Sequence, residues 1–262
     1  MFKMRERPPI AILCGFHYPV NDTIPGILVD LYRVARYCTI INMDYYVFTD
    51  YISNPKIDEL LPSMIKGHVD SGVDQWLDQI KKSNKYFFVD NESSFIPTIL
   101  SKIDKNNNIF FYFSGHGHQG SIVLPSNEFV SIHWLSYKIT QKLDPTQELF
   151  ILLDCCEAFQ LSHWRYSFST LTKNLSSNTV NTIFNPNKIY CLCSTQETPV
   201  TSANGSKFSR DIIDLLTSKK REWMTYPSSY ILSTHLPPRL IPSWVLGEEL
   251  ITICPYWIKI II

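Results

Sequence analysis

The sequence predicts an α/β fold, a single domain with a mostly parallel central sheet and helices on both faces. Two continuous apolar runs, Ile109-Phe110-Phe111-Tyr112-Phe113 and Leu149-Phe150-Ile151-Leu152-Leu153, have the length and character of strands covered on both sides. The stretches around them carry apolar residues at helical spacing, and breaks such as Asn106-Asn107-Asn108 and Asp144-Pro145 divide strand from helix. Composition agrees, because 262 residues at 45% hydrophobic and 18% charged are enough to bury a core.

The elements follow in order. Ile10 to Phe16 reads as the first strand. No leader is expected from the basic stretch before it, Met1 to Arg7, since the apolar run behind it is only about one strand long and lacks a small-residue cleavage site. From Pro25 to Cys38 a helix places Ile27, Leu28, Leu31, Val34, Ala35 and Cys38 on one side, and Tyr45 to Thr49 forms the second strand. Ser71 caps a helix whose stripe is Val73, Trp76, Leu77 and Ile80, and a shorter helix runs from Phe95 to Ile103. After the 109–113 strand, Ser121 to Leu124 reads as a short strand ended by Pro125. Ile132, Leu135, Ile139 and Leu143 mark a crossover helix to the 149–153 strand, with a right-handed connection expected. Residues 161–187 turn to Ser, Thr and Asn and read as a long exposed linker. A strand, Lys188 to Cys193, and a helix, Phe208 to Lys219, resume the pattern. The apolar tail, Ile251 to Ile262, holds Pro255 and Lys259 and falls short of the ~20 residues of a membrane span, so an edge strand or packed tail is expected.

Charge and cysteine content exclude several classes. Lys and Arg total 24 against 24 Asp and Glu, so nothing favours nucleic acid as a partner, and no membrane association is expected. Seven cysteines form no regular extracellular framework, which predicts reduced thiols and a cytoplasmic protein. Cys14, Cys38, Cys191 and Cys193 lie in apolar stretches and read as small hydrophobes.

The chemistry sits where the two apolar runs end. The first ends in Ser114-Gly115-His116-Gly117 and the second in Asp154-Cys155-Cys156. In an open parallel sheet, sites gather beyond the carboxyl ends of strands, so neighbouring strands would bring a histidine and a cysteine together. Amide hydrolysis requires a thiolate, a proton donor for the departing amine, and N–H groups for the oxyanion. The residues alone do not choose between Cys155 and Cys156. Gly115-His116-Gly117-His118-Gln119-Gly120 also fits a dinucleotide-binding template, but the strand expected after it stands where a helix N-terminus is required. A zinc site from His116, His118, Cys155 and Cys156 is disfavoured because adjacent cysteines seldom reach one ion with tetrahedral geometry.

Ser-Gly-His-Gly followed by Asp-x-Cys resembles the caspase-like cysteine peptidases, and more closely the metacaspase and paracaspase branch. Residues 9–48 look like the family's opening strand, helix and strand, with Gly26 and Asp30 in the helix. Cys193-Ser194-Thr195-Gln196-Glu197-Thr198, with Lys207-Phe208-Ser209-Arg210 downstream, looks like its small-subunit region. The resemblance implies a caspase-like three-layer sandwich with a large-subunit-like part at 1–160, a linker at 161–187 and a small-subunit-like part at 188–262. It implies Cys156 as nucleophile, being the third residue of Asp-x-Cys, and His116 as acid and base. The oxyanion donors would be the N–H groups of Gly117 and Cys156. Asp30, Ser114 and Asp154 match the family's S1 pocket, which implies cleavage of protein or peptide substrates after Arg or Lys and rejection of Asp. Arg165 and Lys173, in the linker, are the candidate self-cleavage positions. A monomer or homodimer is expected.

The sequence also departs from the family. Cys156-Glu157-Ala158 replaces the metacaspase Cys-His-Ser-Gly, which sets a carboxylate beside the nucleophile. Ile27 stands where the family's helix commonly has a cysteine. The metacaspase calcium cluster has no match, since Gly120 to His133 carries only Glu128, and His163 stands seven residues after the nucleophile. No metal and no cofactor are therefore expected, and calcium dependence is disfavoured. The alternative function is a catalytically inactive caspase-like scaffold or interaction domain, which Glu157 favours and the intact His116 and Cys156 oppose.

Overall fold

The computed structural model describes residues 9–18, 24, 26–51, 72–156, 166–169, 174–177, 188–194, 205–217 and 230–234. The chain opens with β1 (Ile10–Gly15), α1 (Ile27–Ile40) and β2 (Asp44–Thr49), followed by α2 (Gly72–Lys81), β3 (Tyr86–Phe88) and α3 (Glu92–Ser101). Next come β4 (Ile109–Ser114), three short strands β5 (Gly117–His118), β6 (Ser121–Val123) and β7 (Phe129–Ser131), then α4 (Ile132–Thr140) and β8 (Glu148–Asp154). The remaining elements are β9 (Tyr166–Ser169), β10 (Asn174–Ser177), β11 (Lys188–Ser194), α5 (Lys207–Thr217) and β12 (Tyr230–Thr234).

Nine strands form one sheet in the order β10-β9-β12-β11-β8-β4-β1-β2-β3. From β11 to β3 all neighbours are parallel, while β12, β9 and β10 add an antiparallel edge. The chain works outward from β1 through β2 to β3, then returns across β1 to β4 and proceeds the other way to β8 and β11. Right-handed crossovers therefore put α1 and α2 on one face and α3 and α4 on the other. Packing agrees: α1 rests on α2 and α5, and α3 rests on α4. This is the three-layer α/β sandwich with a mostly parallel sheet that the sequence predicts.

Strand β4 lies between β1 and β8 and is buried along its whole length, with Phe110, Phe111, Tyr112 and Phe113 at most 1% exposed. Each such aromatic contributes roughly 1.5–3 kcal/mol of burial, which explains why this run takes an interior position rather than an edge. Helix α1 buries the expected stripe of Ile27, Leu28, Leu31, Val34, Ala35 and Cys38, and Asp30 lies on that same side at 0% exposure. Asn91 and Ser131 cap α3 and α4, their side chains accepting from the N–H groups of Ser94 (3.0 Å) and Trp134 (3.4 Å).

The structure departs from expectation in three places. The segment expected to be a linker, 161–187, contributes β9 and β10, an antiparallel pair at the sheet edge. The missed signal is the period-two pattern Tyr166-Ser167-Phe168-Ser169, which a Ser-rich average conceals. Second, residues 117–131 form a separate three-stranded sheet, β5-β6-β7, instead of one isolated strand. Gln119 (φ 48°) and Gly120 (φ 74°) make a two-residue turn between the paired His118 and Ser121, a hairpin geometry that requires positive φ at both positions. The third glycine of the dinucleotide template is thus a hairpin turn. Third, β3 has only three residues and lies at the edge, too short for a periodic signal. The Ser71 cap, the linker positions Arg165 and Lys173, and the Ile251–Ile262 tail lie outside the described residues.

Candidate active site

Strand order reverses between β1 and β4, and a sheet of this kind opens a crevice at that point, beyond the strands' carboxyl ends. Gly15, Ser114 and Asp154 end β1, β4 and β8 in one register row, and the Gly115 N–H donates to the Asp154 carbonyl at 3.3 Å. The loops that carry His116 and Cys156 therefore leave adjacent strands at the same height.

Gly117 brings those loops into contact. A Cβ there would lie 2.2 Å from the Cys156 carbonyl oxygen and 2.8 Å from Cys155 Sγ, so only glycine allows the two backbones to approach this closely. The Val123 N–H donates to the His116 carbonyl at 3.0 Å, which makes Gly117 and Ile122 a non-hydrogen-bonded pair. In such a pair the N–H turns away from the partner strand, so the Gly117 amide points away from β6.

The two cysteines differ in environment. Cys155 is buried, and burial, with the charge of Asp154 adding to it, pushes its thiol well above the usual cysteine range. Cys156 is partly exposed. A buried thiol held neutral is a poor nucleophile, which separates two residues that sequence alone left equivalent. Cys14, Cys38, Cys191 and Cys193 are also buried, as small hydrophobes.

His116 is half-buried and held from behind. The Tyr18 hydroxyl accepts from the His116 N–H at 2.8 Å and donates to the Val123 carbonyl at 2.8 Å, and the Tyr18 and His116 rings lie 4.4 Å apart. Tyr18 adopts a left-handed backbone (φ 59°), and the Asp50 carboxylate accepts the N–H groups of both His17 (2.7 Å) and Tyr18 (3.0 Å). Burial pushes the Asp50 carboxyl up to about 6, against the opposing pull of those two N–H donors. His118 is exposed, with its ring 5.7 Å from Phe129.

A second cluster lies beside the first and contains Asp30, Ser114 and Asp154. Both Asp30 oxygens accept the Ser206 N–H (2.9 Å each), the Ser114 hydroxyl donates to Asp30 Oδ2 (3.5 Å), and Arg33 Nη1 stands 3.4 Å from Asp30 Oδ1. Asp154, partly exposed, accepts from Ser209 Oγ at 2.5 Å, and Ser209 in turn bonds the buried Tyr112 hydroxyl at 2.6 Å. Burial raises both carboxyls. The charge of Asp154 raises Asp30 further, and Ser206, Arg33 and Ser114 hold it back.

Every sequence-predicted site residue among the described ones thus falls in one of two adjoining groups at the switch point: His116, Gly117 and Cys156 in one, Asp30, Ser114 and Asp154 in the other. Sequence reasoning missed Tyr18, Asp50, Arg33, Tyr112, Ser206 and Ser209. Asp50 had a signal, being a carboxylate at the end of a predicted strand, and Ser209 lay within the stretch Lys207 to Arg210 already singled out. Tyr18 had none. Among the described residues, no group of three or more His, Cys, Asp and Glu side chains could hold a metal ion, and no helix is long and apolar enough to cross a membrane.

No protein-family model matches the sequence, and no curated protein sequence does. Among solved structures, the chain is similar to that of caspase-1 from Spodoptera frugiperda. The two share 13% identity at a TM-score of 0.47, over 80% of this chain and 69% of that one.

Proposed function

We propose that this chain is a cysteine endopeptidase of the metacaspase and paracaspase kind that cuts after Arg or Lys. The observation that carries the proposal is the contact of Gly117 with Cys155 and Cys156, which joins the histidine loop to the cysteine loop at the crevice. His116 takes the Cys156 thiol proton as Sγ attacks the scissile carbonyl, and the carbonyl oxygen becomes an oxyanion within reach of the Gly117 and Cys156 N–H groups. As the carbon–nitrogen bond breaks, His116 gives its proton to the departing amine, leaving a thioester. Water then attacks with His116 as base, releasing the acid and restoring the thiol.

The basic preference is supported by two carboxylates that share a desolvated corner with one partial counter-ion, Arg33. An incoming guanidinium or ammonium relieves their repulsion, whereas a substrate carboxylate adds to it. Substrates are taken to be proteins or peptides, with no cofactor required, and the enzyme is taken to work in the cytoplasm as a monomer or homodimer.

The test is hydrolysis of fluorogenic peptides with Arg, Lys or Asp before the reporter. Turnover of the basic peptides, its absence with Asp, and its loss in Cys156→Ala are expected. Turnover that survives Cys156→Ala, or a preference for Asp, would overturn the proposal.

A further inference from the structure

We infer that Tyr18 is a positioning residue for His116 and that Asp50 is its anchor, an assignment that rests on the peptidase proposal above. Tyr18 grips His116 at two points. Its hydroxyl takes the His116 backbone N–H at 2.8 Å, and its ring lies 4.4 Å from the imidazole at 50°. One contact fixes where the residue starts and the other limits where its ring can turn. The same hydroxyl donates to Val123 O, so both ends of its hydrogen-bonding capacity are set and its own rotation is fixed. Burial raises the phenol well above the usual tyrosine range, which keeps it a donor at any working pH.

The grip requires Tyr18 to be fixed in turn, and its backbone φ of 59° is unfavourable for a residue with a bulky side chain. Asp50 supplies the compensation, since its carboxylate bridges two successive N–H groups, those of His17 and Tyr18, and is itself only 3% exposed. Strained backbone of this kind persists where its surroundings over-determine it, and such sites cluster at working centres. Gly115 gives an independent sign of fit, because a Cβ there would lie 2.5 Å from the Tyr18 hydroxyl oxygen. The loops after β1 and β4 and the end of β2 thus converge on one imidazole.

The test is Tyr18→Phe, which removes one oxygen and leaves the ring. Misplacing a catalytic group costs turnover rather than binding, so kcat for an Arg peptide should fall about ten- to a hundredfold while KM stays within about twofold. In histidine-labelled protein the ring resonances of His116 should move and those of the other histidines should not. Asp50→Asn, which replaces one acceptor oxygen with a donor, should repeat the loss of kcat and the shift of His116, with His17, whose N–H Asp50 also accepts, moving as well. A kcat within about twofold of wild type, or a loss carried by KM, overturns the assignment and leaves the peptidase proposal standing. If wild type hydrolyses no peptide, the peptidase proposal falls, and the His116 resonances decide alone: unmoved signals in Tyr18→Phe overturn the positioning role.

Discussion

Gly117→Ala tests whether the histidine and cysteine loops meet as described. The new Cβ would stand 2.2 Å from the Cys156 carbonyl oxygen, a backbone atom, and real Cβ atoms essentially never approach closer than 3.0 Å. The two backbones must therefore part by at least about 0.8 Å, and neither can yield by a side-chain rotation. Overpacking of this size costs roughly 1–3 kcal/mol of stability. A shift approaching 1 Å between nucleophile and acid/base costs on the order of a hundredfold in kcat/KM. The assay pairs hydrolysis of an Arg-containing fluorogenic peptide with urea unfolding. Adding Cys155→Ala removes the sulfur contact at 2.8 Å and leaves the carbonyl contact untouched, so stability should partly return while activity does not. If Gly117→Ala keeps wild-type turnover and wild-type stability, the loops are not in contact, and the structural basis for pairing His116 with Cys156 is gone.

Two further outcomes follow from the buried carboxylates. Asp50 has a carboxyl raised to about 6 from a usual 3.8, so the folded state holds its proton where the unfolded chain has lost it. This group's stabilisation is full below about pH 4 and is lost as pH rises through 6. In urea unfolding, the stability of wild type relative to Asp50→Asn should fall by about 2 kcal/mol between pH 4 and pH 6. A difference that stays flat, or that rises with pH, would refute the raised carboxyl. At the acidic corner, Asp154→Asn should lower the preference for an Arg over a Gln peptide about ten- to a hundredfold, as loss of a charge-assisted bond does. Asp30→Asn should lower it less, because Asp30 is fully buried and already faces Arg33. The reverse order in kcat/KM ratios would show that Asp30 meets the substrate cation.

What the sequence made legible was whatever one segment carries by itself. The 109–113 and 149–153 runs announce buried parallel strands because every residue is apolar, and the α1 stripe announces its buried face because one helix holds it. His116 and the Cys155-Cys156 pair stood out because each follows such a strand. Residues whose role comes from contact across the fold were hidden. Tyr18 reaches His116 across 98 positions and Ser206 reaches Asp30 across 176, and no local pattern encodes either meeting. The difference between Cys155 and Cys156 was hidden for the same reason: one is buried and the other partly exposed, and burial belongs to the packed structure. The β9–β10 pair was missed because two short alternating stretches resemble polar loop when averaged over the segment.

The acidic corner also ties α1 and β8 to α5. Asp30 comes from α1 and Asp154 from the end of β8, yet Asp30 accepts from the Ser206 N–H and Asp154 from the Ser209 hydroxyl, both at the start of α5. Two like charges, both raised by burial and with Arg33 as the cation paired to Asp30, would open the structure or stay protonated without those donors. The corner is therefore assembled only when α5 is docked on α1, which packs against it directly. Tyr112, in the interior strand β4, closes the chain of contacts by bonding Ser209. Any change that loosens α5 thus acts on the carboxylates first. On the proposed function it would alter which side chain the crevice accepts before disturbing His116 and Cys156, whose contacts run through Tyr18, Gly117 and the loops after β1 and β4.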